Sequence, residues 1–270
     1  MSFLRSQLLV SIVAAMSLGA CRASDAPAEN RAVGPPAADE LNLAEELPLP
    51  QPALDRASFL TAVAAAASAQ VAGTEDRAAQ RLDGRRFAIR LRFGCEGPAT
   101  VNGTAALRWT QNEGKASVEI SAKPDLSLAD KSLDDISDQT IEAVEGFWIP
   151  RPWQLNDSCP AAAPDGSEAT LPAPQLVGIA QYFTAQDSRV GRRSGRPYLA
   201  TKKIQSPDDL PKSGLILLLE GRFEAWPGGK VIRCTGSGRN RQPTCIASAH
   251  LDRAAFLRPE DDSVIAEWRE

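Results

Sequence analysis

The chain has 270 residues, of which 43% are hydrophobic and 24% are charged, and its formal net charge is -4. This composition is typical of a folded protein and excludes a chain that is disordered or collagen-like throughout. Three basic and six acidic residues precede position 53, so the remainder carries 27 basic and 28 acidic residues. A nearly neutral domain lacks the basic excess of nucleic-acid-binding domains, and we expect no nucleic-acid partner.

The first twenty residues have the layout of a secretory signal. Arg5 supplies a positive charge, and an apolar run from Leu8 to Ala20 follows it and stops at Cys21. The run is shorter than the roughly 20 apolar residues that a membrane-spanning helix needs. We therefore predict that residues 1–20 are removed as a signal peptide. Cleavage as an ordinary signal peptide is the alternative, and it would leave Cys21 as an unmodified thiol or discard it.

The end of this run, Leu18-Gly19-Ala20-Cys21, resembles the lipobox of bacterial lipoproteins. The resemblance implies a diacylglyceryl thioether on Cys21, cleavage before that residue, and a further acyl chain such as palmitate on the new amino terminus. Two or three acyl chains hold a protein stably on a membrane, whereas one myristoyl chain binds only marginally. Arg22 follows the cysteine, where aspartate would signal retention in the inner membrane. We therefore expect a lipid-anchored protein of the cell envelope, on the outer membrane and facing the periplasm.

The segment 21–52 is rich in alanine, proline and acidic residues, and it contains six prolines. Such a segment buries too little apolar surface to offset the entropy cost of ordering it, so we predict a disordered tether. It would span roughly 30 Å as a flexible coil and about 95 Å as a polyproline helix. The folded domain is predicted to occupy residues 53–270.

Four cysteines remain once Cys21 is assigned to lipid: Cys95, Cys159, Cys234 and Cys245. An even number in an oxidising compartment predicts two disulfides, for which three connectivities exist. We favour Cys95 with Cys159 and Cys234 with Cys245, because the second pair would close a short glycine-rich loop. The cysteine spacing does not suit a zinc site and His250 is the only histidine, so we predict no metal and no cofactor.

The folded part is predicted to begin with a helix. Asp55 or Ser58 can cap its start, and Gly73 would end it. Its apolar face is predicted from residues that recur every four positions, namely Phe59, Val63, Ala67 and Val71. A second short helix is predicted between Thr74 and Leu82.

After the helices the apolar period changes to two, which indicates strands. In "RFAIRLRF", one face of the predicted strand carries Phe87, Ile89, Leu91 and Phe93. Four further strands are predicted at "TAALRWTQ", "ASVEISA", "IEAVEGFWIP" and "LVGIAQYF". The run "GLILLLEG" is apolar on both faces, which predicts a strand covered on both sides at the centre of the core. "WPGGK" predicts a hairpin turn into "KVIRC". Together these elements predict one α+β domain, mainly antiparallel sheet with the N-terminal helix packed on it, closed by two disulfides.

Two surface features are candidates for binding. One is a basic cluster whose span contains no acidic residue: Arg189, Arg192, Arg193, Arg196, Lys202 and Lys203. Such a cluster would suit the phosphates of lipopolysaccharide, anionic lipid headgroups or an acidic protein. The other is "FWIPRPW", in which Trp148 and Trp153 flank two prolines. It predicts an edge strand or an extended segment leaving a sheet, with rings that would stack on a sugar or grip a peptide. A solvated hairpin tip and ordinary core packing are the respective alternatives.

The sequence contains none of the common nucleophile or phosphate-loop motifs. His250 precedes Asp252 by two residues, and acidic residues cluster between Asp125 and Glu145. These residues support one hypothesis, a hydrolase acting on cell-wall glycan or peptide. We favour a non-enzymatic binding or assembly module that is held to the membrane through Cys21 and meets an envelope protein, lipopolysaccharide or peptidoglycan. The residues leave enzymatic activity undecided.

Overall fold

The computed structural model describes residues 51–100, 103–136, 140–161, 175–186, 192–236 and 240–269. The predicted signal, Cys21, Arg189 and nearly all of the tether lie outside the described residues. The helices are α1 (Arg56–Ala72) and α2 (Arg77–Gln80). The strands are β1 (Arg86–Phe93), β2 (Leu107–Asn112), β3 (Ser117–Ala122), β4 (Leu126–Ser127), β5 (Ile141–Trp148), β6 (Val177–Thr184), β7 (Tyr198–Lys203), β8 (Leu215–Phe223), β9 (Ile232–Thr235), β10 (Thr244–Leu257) and β11 (Val264–Arg269).

Helix α1 begins and ends where the sequence predicts. The Asp55 carboxylate accepts a hydrogen bond from the Ser58 amide at the N-cap, and Gly73 follows the last turn with a φ of 67°. An acceptor at the N-cap and a left-handed glycine after the C-terminus satisfy the backbone groups that a helix leaves unpaired.

The apolar face of α1 packs on the large sheet. Phe59 stacks on Phe223 of β8 with 5.7 Å between ring centroids, and Val63 is buried in the same cluster. The prediction that Val71 belongs to this face is wrong, because its side chain is 57% exposed. A step of four residues advances about 40° around a helix of 3.6 residues per turn, so three such steps turn Val71 away from the sheet.

The larger sheet has eight strands in the described residues, and β10 is its hub. The main path runs β1-β8-β10-β6-β5-β4, and β9 and β11 also pair with β10. The first half of β10 pairs with β6 in parallel and with β9 antiparallel, whereas its second half pairs antiparallel with β8 and β11. A register shift between Leu251 and Arg253 separates the two halves. Strand β8 is buried on both faces, as predicted, and lies between β1 and β10.

The smaller sheet has the order β2-β3-β7, with every pairing antiparallel. Its inner face shares one apolar core with α1 and the larger sheet. Tyr198 of β7 contacts Trp268 of β11 edge-on, with 5.1 Å between ring centroids. Because this core joins both sheets, the end of the small sheet is held against the β10–β11 hairpin.

The turn predicted at "WPGGK" forms, but the predicted hairpin does not. The Gly229 amide donates to the Trp226 carbonyl at 2.9 Å, and Gly228 has a φ of 104°. Strand β9 then pairs with β10 and not with β8. Strand β9 has no free edge of β8 to pair with, because β1 pairs with one edge of β8 and β10 pairs with the other.

Both predicted disulfides are present. Cys95 pairs with Cys159, and Cys234 pairs with Cys245 across the β9–β10 ladder. The fold is therefore the predicted α+β class, mainly antiparallel, with the N-terminal helix on the sheet and two disulfides.

Candidate ligand cleft

A cleft of about 390 Å³ opens where the small sheet meets the ends of β8 and the β10–β11 hairpin. Its floor is apolar and comes from three strands: Val118 and Ile120 of β3, Leu215 of β8 and Ile265 of β11. The wall is the connection from β7 to β8, which contributes Leu210. The rest of the lining is largely polar or charged, and it includes Lys212, Arg258 and Glu260. A cleft above roughly 300 Å³ that combines an apolar surface with polar groups is typical of a small-molecule site.

Two lysines at the end of β7 form one rim of the cleft. Lys202 pairs with Val118 and shares the inward face of β7 with Tyr198 and Ala200. Its aliphatic stem can therefore lie along the apolar floor while its ammonium group reaches solvent. Lys203 follows it at the strand end and also lines the cleft. Both side chains are exposed, and neither forms an ion pair with a described residue.

Two of the three acidic residues at the cleft accept hydrogen bonds from backbone amides; the third is Glu260. Asp209 accepts hydrogen bonds from the Gln205 and Ser206 amides at 2.8 and 2.9 Å, and these bonds hold the pKa of its carboxyl below the usual value. Hydrogen bonds from Ser263, including its amide at 3.0 Å, likewise lower the pKa of Asp261. Arg258 lies near enough to both carboxylates to lower each pKa further. Asp209 and Asp261 therefore stay ionised and bonded. The cationic side chains at the cleft are those of Lys202, Lys203, Lys212 and Arg258.

The predicted basic cluster is divided by the structure. Arg192, Arg193 and Arg196 lie in the connection before β7 and do not line the cleft, whereas Lys202 and Lys203 do. The Arg193 guanidinium lies 3.9 Å from the Tyr198 ring centroid and donates to the carbonyls of Arg196 and Pro197.

The other two arginines of this loop also make internal contacts. Arg196 donates to the Arg193 carbonyl at 2.9 Å, and Arg192 pairs with Glu142 at 3.6 Å. The loop is fixed to β5 by Glu145, whose carboxylate accepts bonds from the amides of Arg193 and Ser194. The arginines therefore hold their own loop in place, and the lysines form the part of the cluster that faces the cleft.

The aromatic-proline candidate is divided as well. Trp148 ends β5 and is buried in a cluster with Leu126 and Ile246. Trp153 lies beyond both prolines and is 64% exposed. The segment does leave the sheet, but it turns and is not extended as predicted: Arg151 has a φ of 50°, and the Gln154 amide donates to the Arg151 carbonyl at 2.9 Å. Only Trp153 of the pair is presented to solvent.

Trp153 belongs to a segment, residues 149–159, that is fixed to the domain by a buried arginine. Arg56, at the first turn of α1, donates to the carbonyls of Pro150, Arg151 and Gln154 at 2.6, 3.0 and 3.0 Å. It also donates to the Arg90 carbonyl of β1 at 3.3 Å. The side chain is only 6% exposed, and burial lowers the pKa of Arg56 to about 10.

Further contacts hold the far end of the 149–159 segment. Asp157 pairs with the Arg90 guanidinium at 2.6 Å, and Cys159 is joined to Cys95. Within the segment, the Gln154 amide group donates to Asn156 and to the Ser158 carbonyl. The segment is therefore a rigid surface feature, although it contains neither helix nor strand.

The candidate catalytic residues lie apart from one another, or their side chains are already bonded to other groups of the domain. His250 Nε2 lies 3.8 Å from Asp252, whose carboxylate is also 3.5 Å from the Arg222 guanidinium, on the open surface of β10. Asp125 accepts a bond from the Trp148 amide, and Asp130 accepts one from the Ser127 amide. In the part of the chain that is described, no three His, Cys, Asp or Glu side chains are grouped as a metal site.

Sequence reasoning missed Arg56 and most of the cleft. The signal for Arg56 was available, because Arg56, Phe59, Leu60 and Val63 follow the i, i+3, i+4, i+7 spacing of one helix face. An arginine on an apolar face must be buried among acceptors. The cleft residues come from three distant parts of the chain, residues 118–120, 202–215 and 258–265, and no local pattern joins them.

Comparison with known protein families, with curated proteins and with solved structures finds no match to this chain. Among the described helices, none is long and apolar enough to cross a membrane.

Proposed function

We propose that this chain is a bacterial cell-envelope lipoprotein, anchored through Cys21, whose domain is a non-enzymatic binding module. The ligand is an anionic amphiphile, that is, a phosphate or carboxylate group on an apolar chain, and it binds in the cleft beside Lys202 and Lys203. Such ligands occur in the envelope as lipid headgroups and as the phosphorylated acyl sugars of lipopolysaccharide.

One observation carries the ligand class: two lysines that form no ion pair with a described residue stand directly beside an apolar floor. Lys202 and Lys203 supply charge at the rim, while Val118, Ile120 and Ile265 line the interior. An anion alone would leave the floor unused, and an apolar molecule alone would leave the lysines without a partner. A molecule with both parts satisfies both surfaces.

The site also favours binding over catalysis. Two of the three cleft acids, Asp209 and Asp261, are bonded to backbone amides, so neither is placed as a free general base. The third, Glu260, is exposed. His250, the other candidate base, does not line the cleft.

Isothermal titration with dodecyl phosphate, kept below its micelle concentration, tests the ligand class. We expect the Lys202→Gln/Lys203→Gln double variant to bind roughly tenfold more weakly, since exposed charge contacts contribute about 0.2–1 kcal/mol each. The matched control is Lys123→Gln/Lys230→Gln, which removes two exposed lysines that do not line the cleft. Octyl phosphate should bind more weakly than dodecyl phosphate, and inorganic phosphate more weakly still, because each methylene group buried contributes about 0.8 kcal/mol.

Absence of dodecyl phosphate binding would contradict the proposal. Equal affinity for the Lys202/Lys203 variant and the control would contradict the placement of the site. Equal affinity for inorganic and dodecyl phosphate would show that the apolar floor takes no part.

A further inference from the structure

The 149–159 segment presents two large apolar side chains that the domain does not cover. Trp153 is 64% exposed and Leu155 is 53% exposed. Exposed apolar residues are common singly, but these two lie two positions apart on a segment held by Arg56, by the Arg90–Asp157 ion pair and by the Cys95–Cys159 disulfide. A rigid loop spends little conformational entropy on binding, and this favours an interaction surface.

The chemistry around the two side chains suits the interfacial layer of a bilayer. Their neighbours Gln154 and Asn156 are uncharged, and Asp157 is paired with Arg90, which also pairs with Asp262. Arg151, two positions before Trp153, donates to the Arg92 carbonyl of β1, so the segment also carries a cationic group. Tryptophan has an apolar body and one polar N–H group, and it is enriched where acyl chains meet headgroups.

The position of the segment in the fold also favours a lipid surface. Arg56 contacts three carbonyls of the segment and stands four residues after Pro52, whose carbonyl accepts a bond from Arg85. The start of α1 therefore lies beside the segment, whereas Pro52 lies by Arg85, at the start of β1. The 30 residues from Cys21 to Pro50 precede the described chain. Through a connection of this length, a chain held to a bilayer at Cys21 could bring the 149–159 face of the domain to the bilayer surface.

We infer that Trp153 and Leu155 insert into the interface of a phospholipid bilayer and dock the domain on the membrane that carries its anchor. This docking rests on the proposed anchor at Cys21, and it is independent of ligand binding in the cleft. One tryptophan and one leucine give weak affinity by themselves. A tether raises the local concentration to the millimolar range, so weak contact is sufficient.

The test uses phosphatidylcholine vesicles with and without brominated acyl chains, which quench tryptophan on contact. The acylated chain is reconstituted directly; in parallel, the full unacylated chain is coupled through Cys21 to a maleimide lipid, since the other four cysteines are in disulfides. Of the five tryptophans, Trp109, Trp148 and Trp226 are buried, Trp268 is half-buried, and only Trp153 is mostly exposed. Brominated lipid should therefore quench on the order of one fifth of the emission.

Three variants decide the outcome. Trp153→Phe should abolish the quenching, and Leu155→Ser should reduce it at least twofold while leaving the Trp153 fluorophore in place. Val71→Ser is the matched control, because Val71 is 57% exposed and lies at the end of α1 away from Arg56. Its tryptophan emission should be quenched as much as that of the native chain. Quenching that survives Trp153→Phe, or its absence in the maleimide-coupled chain, would overturn the docking. Failure of acylation alone would refute the anchor and leave the coupled chain to test the docking.

Discussion

Replacing Arg56 by methionine is expected to destabilise the domain more than any exposed arginine substitution. The guanidinium is buried at the first turn of α1 and donates to four carbonyls, three of which belong to the 149–159 segment. Methionine fills similar space and donates no hydrogen bond. The variant therefore leaves the carbonyls of Pro150, Arg151 and Gln154 facing an apolar side chain.

The size of the effect follows from those three carbonyls. A buried acceptor left without a partner costs about 1–3 kcal/mol. The three acceptors are partly buried, and methionine is cheaper to bury than a charged group, so the low end applies and the sum is about 3 kcal/mol. For a domain of 150–250 residues, about 1 kcal/mol corresponds to roughly 2–4 °C, which gives a fall in Tm of about 6–12 °C.

Thermal unfolding followed by circular dichroism measures this effect under oxidising conditions. Arg56→Lys should lie between the native chain and Arg56→Met, since one ammonium group keeps the charge but cannot bridge acceptors as a planar fork does. Arg81→Met is the matched control, because Arg81 is exposed and makes only a 3.4 Å contact within its own helical turn. A Tm for Arg56→Met within 2 °C of the Arg81→Met value would refute the reasoning.

Two further stability predictions follow from the fold. The two disulfides close loops of 64 and 11 residues, and the longer loop should contribute more stability. In denaturant unfolding, Cys95→Ala/Cys159→Ala should lower the free energy of unfolding by about 4 kcal/mol, and Cys234→Ala/Cys245→Ala should lower it by about 3 kcal/mol. The reverse order would contradict this. Gly221→Ala should cost about 1–3 kcal/mol by overpacking, since a Cβ there would clash with the His250 carbonyl oxygen. Gly114→Ala should be close to neutral, because a Cβ there would lie 3.7 Å from the Asn112 side-chain oxygen, an ordinary contact distance.

The sequence predicted those parts of the fold whose signal is local. Helix α1 has its cap, its apolar spacing and its terminating glycine within one stretch, and β1 alternates strictly. The disulfide pairing followed from the short loop between Cys234 and Cys245. The hub strand β10 was missed because "TCIASAHLDRAAFL" mixes small, polar and charged residues without a period of two. Its environment changes along its length, with different neighbours on each half.

The candidate sites depended on contacts that sequence spacing does not encode. Lys202 and Arg193 are close in sequence and both basic, yet one borders the cleft and the other stacks on Tyr198. The difference arises because the loop before β7 folds back on its own carbonyls, whereas β7 continues to the end of the small sheet. Trp148 and Trp153 were separated in the same way, since the sheet ends between them.

Lipid anchoring at Cys21 is tested most directly by mass spectrometry of the amino-terminal peptide, on the chain purified from the membranes of a bacterium with a lipoprotein-processing pathway. We expect a mature chain that starts at Cys21 and carries a diacylglyceryl group with a further acyl chain. We also expect a Cys21→Ser variant to be neither acylated nor membrane-bound. A native chain that keeps residues 1–20, or that begins elsewhere with an unmodified thiol at Cys21, would contradict it.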